Sequence, residues 1–123
     1  MDKQSQYFPQ PCTTTTIENE GQRRTLWHLV TTHNNGLSFG NERVEPGCVI
    51  PEHQHEDSEE ILFIYSGMAK CKVGDEERIV SAGEAVYIPP KHPHSINNLS
   101  DSEPLLLTWT LTPPLAVHQF VAK

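Results

Sequence analysis

Apolar and strand-forming residues in this chain come in short runs, broken by glycine, proline and asparagine. Leu26-Trp27-His28-Leu29-Val30-Thr31 is rich in strand formers and is closed by the turn signal His33-Asn34-Asn35-Gly36. A second strand candidate covers 37–45 and stops at Pro46-Gly47. The run Ile61-Leu62-Phe63-Ile64-Tyr65 is too short for a typical helix and ends at Ser66-Gly67. It reads as a strand buried on both faces. Runs at 68–73 and 77–80 flank Gly74-Asp75, an apt hairpin turn. Further strands are expected at 85–88, ended by Pro89-Pro90, at 94–98, and at 105–111, ended by Pro113-Pro114. The sum is roughly eight or nine short strands, with no amphipathic helix and no internal repeat. Such a pattern predicts an all-β sandwich or barrel.

The segment 1–20 is polar, carries Pro9, Pro11 and threonines at 13–16, and reads as an extended N-terminal arm, loose or laid across a partner subunit. The barrel is then expected over 21–112, and 113–123 forms a tail that adds a helical turn or packs along the outside. At 123 residues the chain suits one domain with one core. No apolar run approaches the roughly 20 residues that span a bilayer. The stretch MDKQSQYFPQPC has no apolar segment of the kind a secretory signal needs, and both features lead to an expected cytoplasmic protein. A net charge of -7 argues against nucleic acid and anionic membranes as partners, and leaves small molecules. Cys12, Cys48 and Cys71 are odd in number and form no CxxC pair, which fits a reducing compartment; Cys48 and Cys71 read as small buried hydrophobes.

The candidate chemistry gathers in GCVIPEHQHEDSEEILFIYSG, residues 47–67. His53 and His55 are two positions apart, so an extended chain would aim both imidazoles at one point. A tight turn would return Glu60 beside them, and His94, in PPKHPHSINN, is a fourth candidate. Imidazoles with a carboxylate suit a divalent transition metal, whether Fe, Mn, Ni, Cu or Zn. Glu59 competes with Glu60 for the carboxylate role. Glu60 is preferred because it shares strand parity with Leu62 and Ile64, a plausible barrel interior.

These residues resemble a known family. Gly47-x5-His53-x-His55-x4-Glu60-x6-Gly67 is similar to the first cupin motif at every defining position. Gly83-x5-Pro89-x-Lys91-x2-His94-x3-Asn98 is similar to the second, with Lys91 where the family usually has glycine. The resemblance implies an all-β cupin double-stranded β-helix, a jelly-roll barrel with a metal inside. Carried over by position, it implies His53, His55, Glu60 and His94 as the metal ligands, glycine turns at 47, 67 and 83, and a homodimer.

Four protein ligands leave about two positions of a six-coordinate ion for a substrate. The expected activity is therefore that of a small metal-dependent enzyme on a small oxygen-rich molecule, with dioxygenase-type chemistry favoured. A non-redox lyase or isomerase, or a non-catalytic small-molecule binding cupin, are the alternatives, and fold alone does not choose. Leu62, Ile64 and Val86 are expected to wall the site against water. His92 and Lys91 are the candidate catalytic or substrate-orienting groups, His92 because an imidazole changes charge near neutral pH. Arg24 and Arg43 are weaker candidates for anchoring an anion, and the facing of Glu42 is not fixed by pattern. Tyr65, Trp27 and Trp109 read as packing residues, and His28, His33 and His118 as structural or exposed.

Overall fold

The computed structural model describes residues 5–8, 14–31 and 36–114. Among these residues the chain forms ten strands and no helix. They are β1 (Thr14–Asn19), β2 (Gln22–Val30), β3 (Ser38–Val44), β4 (Val49–His53), β5 (Glu59–Ser66), β6 (Met68–Val73), β7 (Glu76–Ser81), β8 (Ala85–Ile88), β9 (His94–Asn98) and β10 (Leu105–Thr112). A six-stranded sheet runs β1-β2-β3-β10-β5-β8, and a four-stranded sheet runs β4-β9-β6-β7. Every pairing is antiparallel. After β3 the chain passes repeatedly from one sheet to the other, and the two inner faces close into a jelly-roll barrel.

Strand alternation builds the core. β10 places Leu105, Leu107, Trp109 and Leu111 inward, and β5 places Glu60, Leu62 and Ile64 inward. Ile50, Ala69, Cys71 and Ile96 answer them from the four-stranded sheet. Each fully buried Leu or Ile contributes roughly 1.5–3 kcal/mol, so this inner layer is the main stabilising term. Gly40 on β3 lies under the Trp109 indole, where any Cβ would overlap the ring. The bulky indole therefore packs flat because its neighbour has no side chain.

Asn98 closes one end of the barrel. Its buried amide donates to the carbonyls of Val44, Glu45 and Glu103 at 3.1, 3.2 and 2.9 Å, and its Oδ1 accepts from Ser100 N–H at 2.9 Å. The side chain thus ties the end of β3 to the carbonyls of the flanking loops at Glu45 and Glu103.

Two readings from the sequence change. The segment read as an extended arm contributes β1, which pairs with β2 of its own chain through the turn at Glu20-Gly21, both at positive φ (51° and 81°). Consecutive positive φ values match the twist of a two-residue hairpin; glycine adopts the second freely, and Glu20 takes the first at a backbone cost. The run 61–65 is buried on one face only: Leu62 and Ile64 face the core, and Ile61, Phe63 and Tyr65 are exposed on the outer face of the six-stranded sheet. An apolar run looks alike in either setting, so periodicity could not separate them. The readings placed on residues 1–4, 9–13 (Cys12 among them), 32–35 (with His33) and 115–123 (with His118) lie outside the described residues.

Candidate metal centre

The site forms where β4 hands over to β5. His53 is the last residue of β4 and pairs in register with His94, the first residue of β9. The ladder of the four-stranded sheet therefore sets these two rings side by side, with centroids 4.3 Å apart. His55 is not on the same strand as His53, as the spacing suggested. It sits in the 54–58 loop that crosses between the sheets, its ring 5.0 Å from His53 and 5.3 Å from His94. Glu60 enters from the opposite, six-stranded sheet.

One nitrogen of each histidine lies within 4.8 Å of the others, so the three can hold a metal ion together. Glu60 Oε1 is 3.4 Å from both His55 Nε2 and His94 Nε2. His53 Nδ1 donates to the Pro51 carbonyl at 2.8 Å, and His94 Nδ1 donates to the His92 carbonyl at 2.9 Å. A carbonyl only accepts, so each Nδ1 carries the proton and each Nε2 presents a lone pair. Glu60 Oε1 and His94 Nε2 are buried with no hydrogen-bond partner. Unsatisfied buried polar atoms of this kind cost about 1–3 kcal/mol each unless something binds them.

The electrostatics favour the metal-binding forms of His53 and Glu60 and oppose that of His94. Burial lowers the His53 ring to about 4, and the neighbouring His94 and His55 add to the effect. Burial alone would raise Glu60, but the facing rings of His55 and His94 outweigh it and hold the carboxyl down to about 2. For His94 burial opposes the charged form, while Glu60 and the His92 carbonyl outweigh it and raise the ring above its usual value. A neutral imidazole and an ionised carboxylate are the forms that bind metals. Three imidazole nitrogens and one carboxylate oxygen, converging and partly orphaned, fit a first-row divalent ion.

Comparison with known proteins decides the family. The family model for the cupin domain matches residues 40–111. The chain belongs to the cupin family.

Among curated proteins this cupin is similar to the uncharacterized protein MJ1618 of Methanocaldococcus jannaschii, 39% identical over 62 residues, which are 50% of this chain and 49% of that one. It is also similar to mannose-1-phosphate guanylyltransferase 2 of Escherichia coli O157:H7, 34% identical over 55 residues, 45% of this chain and 11% of the enzyme. The match thus spans about half of the first relative and a small part of the second. Among solved structures, one from Thermotoga maritima described as a predicted oxalate decarboxylase superposes with a TM-score of 0.73 at 23% identity, covering 82% of this chain and 92% of that one. A cupin-2 domain from Rhodospirillum rubrum also gives 0.73, at 20% identity, with 90% and 76% covered. At these identities the likeness is one of fold.

The remaining candidates are placed as follows. Glu59 points outward and accepts a 2.7 Å hydrogen bond from Tyr87 Oη, away from the histidines. Lys91 is exposed at φ 65°, with its N–H on the His55 carbonyl (2.8 Å) and its Nζ on the Glu56 carbonyl (3.1 Å). His92 is exposed, bonded through Nδ1 to the Pro90 carbonyl at 3.0 Å, with its ring beside Gly74 of the β6–β7 hairpin. Tyr65 is exposed and bonds Asn41, and Arg43 pairs on the surface with Glu45. Trp27 packs against Phe39 with centroids 5.9 Å apart and the rings tilted by 53°. Among the described residues no helix is long and apolar enough to cross a membrane.

One interior cluster escaped the sequence reading as a unit. Glu42 is buried and accepts from Arg24 Nη1 at 3.0 Å and from Trp109 Nε1 at 3.1 Å. Burial raises the Glu42 carboxyl, and the Arg24 and Trp109 contacts offset this only in part. His28 shares the inward parity of Arg24 and Leu26 on β2, and burial lowers its ring. The signal available was parity along β2, but Arg24 at the mouth of a strand reads as solvated until its partner on β3 is known.

Proposed function

We propose that this cupin is a metal-dependent enzyme acting on a small oxygen-rich molecule through dioxygenase-type chemistry. The observation that carries the reading is the buried pair Glu60 Oε1 and His94 Nε2, 3.4 Å apart with no hydrogen-bond partner, converging with His53 and His55. His53, His55, Glu60 and His94 would hold an Fe, Mn, Ni, Cu or Zn ion and donate no proton themselves. Such an ion supplies Lewis acidity and, where redox-active, electron exchange with dioxygen. Leu62 and Ile64, with the half-buried Val86 beside them, wall the interior against water, which strengthens the electrostatics inside.

A non-redox lyase or isomerase is the second reading, because the same donor set serves a redox-inert ion, and one structural neighbour is described as a predicted oxalate decarboxylase. The proposal includes a homodimer, supported by exposed Ile61, Phe63, Tyr65 and Tyr87 on the outer face of the six-stranded sheet. It also includes a cytoplasmic setting, in keeping with the free, buried Cys48 and Cys71.

The test is elemental analysis of freshly purified protein with oxygen uptake over a panel of carbonyl acids and catechols. Stoichiometric Fe, Mn, Ni or Cu with substrate-dependent uptake supports the oxygenase. Metal without uptake moves the reading to the lyase or isomerase. No metal after reconstitution overturns both and leaves a binding module.

A further inference from the structure

His53 and His94 are each fixed twice. They face each other in the β4–β9 ladder, and each ring is tethered through Nδ1 to a backbone carbonyl. His55 has neither support: it lies in the loop after β4, and among the described residues its ring nitrogens make no such tether. Its position depends on its backbone, and among the described residues the hydrogen bonds to the His55 and Glu56 carbonyls come from one residue of another loop. Lys91 N–H donates to the His55 carbonyl at 2.8 Å, and Lys91 Nζ donates to the next carbonyl, Glu56, at 3.1 Å.

Lys91 does this from a backbone conformation that is unfavourable for it. At φ 65° it is in the left-handed region, where a Cβ is crowded and glycine is the residue of choice. Glycine would keep the N–H contact and relieve the crowding, but it has no Nζ. The lysine therefore costs backbone strain and supplies one thing that glycine cannot: a cationic donor across the Glu56 carbonyl.

We propose that Lys91 is a positioning residue for the metal centre, a two-point clasp that sets the approach of His55. This rests on the reading of His53, His55, Glu60 and His94 as metal ligands. Lys91 acts through the loop backbone: it is exposed, and its Nζ lies on the Glu56 carbonyl next to His55.

The experiment titrates Co2+ into apo protein, reading its visible absorption for affinity and ligand field, and measures the melting temperature of each apo protein separately. Lys91→Gly is expected to raise the apo melting temperature by about 2–4 °C. Lys91→Met keeps the strain and removes the donor, and is expected to leave apo melting close to wild type. Both are expected to weaken Co2+ binding by about three- to tenfold and to shift its absorption bands, as loss of support around a ligand does. Lys91→Arg, which keeps a cationic donor, is expected to restore most of the affinity. Wild-type affinity and spectrum in both Lys91→Gly and Lys91→Met would overturn the clasp, as would an affinity loss matched by an equal loss of apo stability. A wild-type protein that takes up no Co2+ would instead remove the metal centre itself, and the clasp with it.

Discussion

Glu60 and His94 reach each other from opposite sheets, with Glu60 Oε1 and His94 Nε2 3.4 Å apart and neither atom hydrogen-bonded. Glu60 is the second residue of β5 in the six-stranded sheet, and His94 starts β9 of the four-stranded one. A polar bridge between the two layers at one end of an otherwise apolar core is expensive unless something occupies it. Bound metal would therefore hold the sheets together as well as supply chemistry.

Glu60 and its neighbour Glu59 should behave oppositely. Glu60→Gln is expected to lower metal retention by at least tenfold, because it removes the inward carboxylate. Glu59→Gln disturbs only an outer contact with Tyr87 and should retain wild-type metal content. Elemental analysis of the two purified variants side by side checks the assignment, and a larger loss in Glu59→Gln would reverse it.

The Arg24–Glu42 pair should be worth more to the fold when broken than when replaced. Glu42→Gln leaves the buried Arg24 guanidinium without its counter-charge, a change that costs about 3–5 kcal/mol. Replacing both residues with methionine removes the uncompensated charge and should recover most of that loss. Urea unfolding of the two variants measures the difference. Equal destabilisation by the single and the double change would show that the pair is not the source.

Cys71 should be chemically silent in the native protein. Burial pushes its thiol up to about 11 from an ordinary value of about 9.0, which leaves almost no thiolate at pH 8.5. Iodoacetamide at that pH should spare Cys71 in folded protein and label it in denaturant, as read by peptide mass spectrometry. The folded state holds the thiol proton more tightly than the unfolded one. Its contribution to stability is thus complete below about pH 9 and is lost as the pH rises towards 11.

The exposed outer face gives a prediction on assembly. Phe63 and Ile61 project from β5, and Tyr87 pairs across from Ile61 on β8. Phe63→Glu is expected to shift the sedimenting species from dimer to monomer without loss of strand content by circular dichroism. A wild-type protein that sediments as a monomer, or a variant that stays dimeric, would place the interface elsewhere or nowhere.

Much of the barrel is legible before folding because its rules are local. Pro46-Gly47, Ser66-Gly67, Gly74-Asp75 and Pro89-Pro90 break the chain at strand ends whatever surrounds them. Strand parity was enough to prefer Glu60 over Glu59, and the structure turns the first inward and the second outward. Other features are decided only by contact between distant segments. Whether Ile61, Phe63 and Tyr65 are core or surface depends on which face of the sheet is covered, and no run of apolar letters states that. Arg24 and Glu42 become a buried pair only when β2 aligns with β3. His55 joins the site from a loop, so its reach is set by Lys91, thirty-odd residues away, and not by the two-residue spacing that first drew attention to it. Local sequence determines where strands start and stop because backbone preferences act over a few residues. Facing, pairing and the convergence of side chains are properties of two segments at once, and only the tertiary structure brings those segments together.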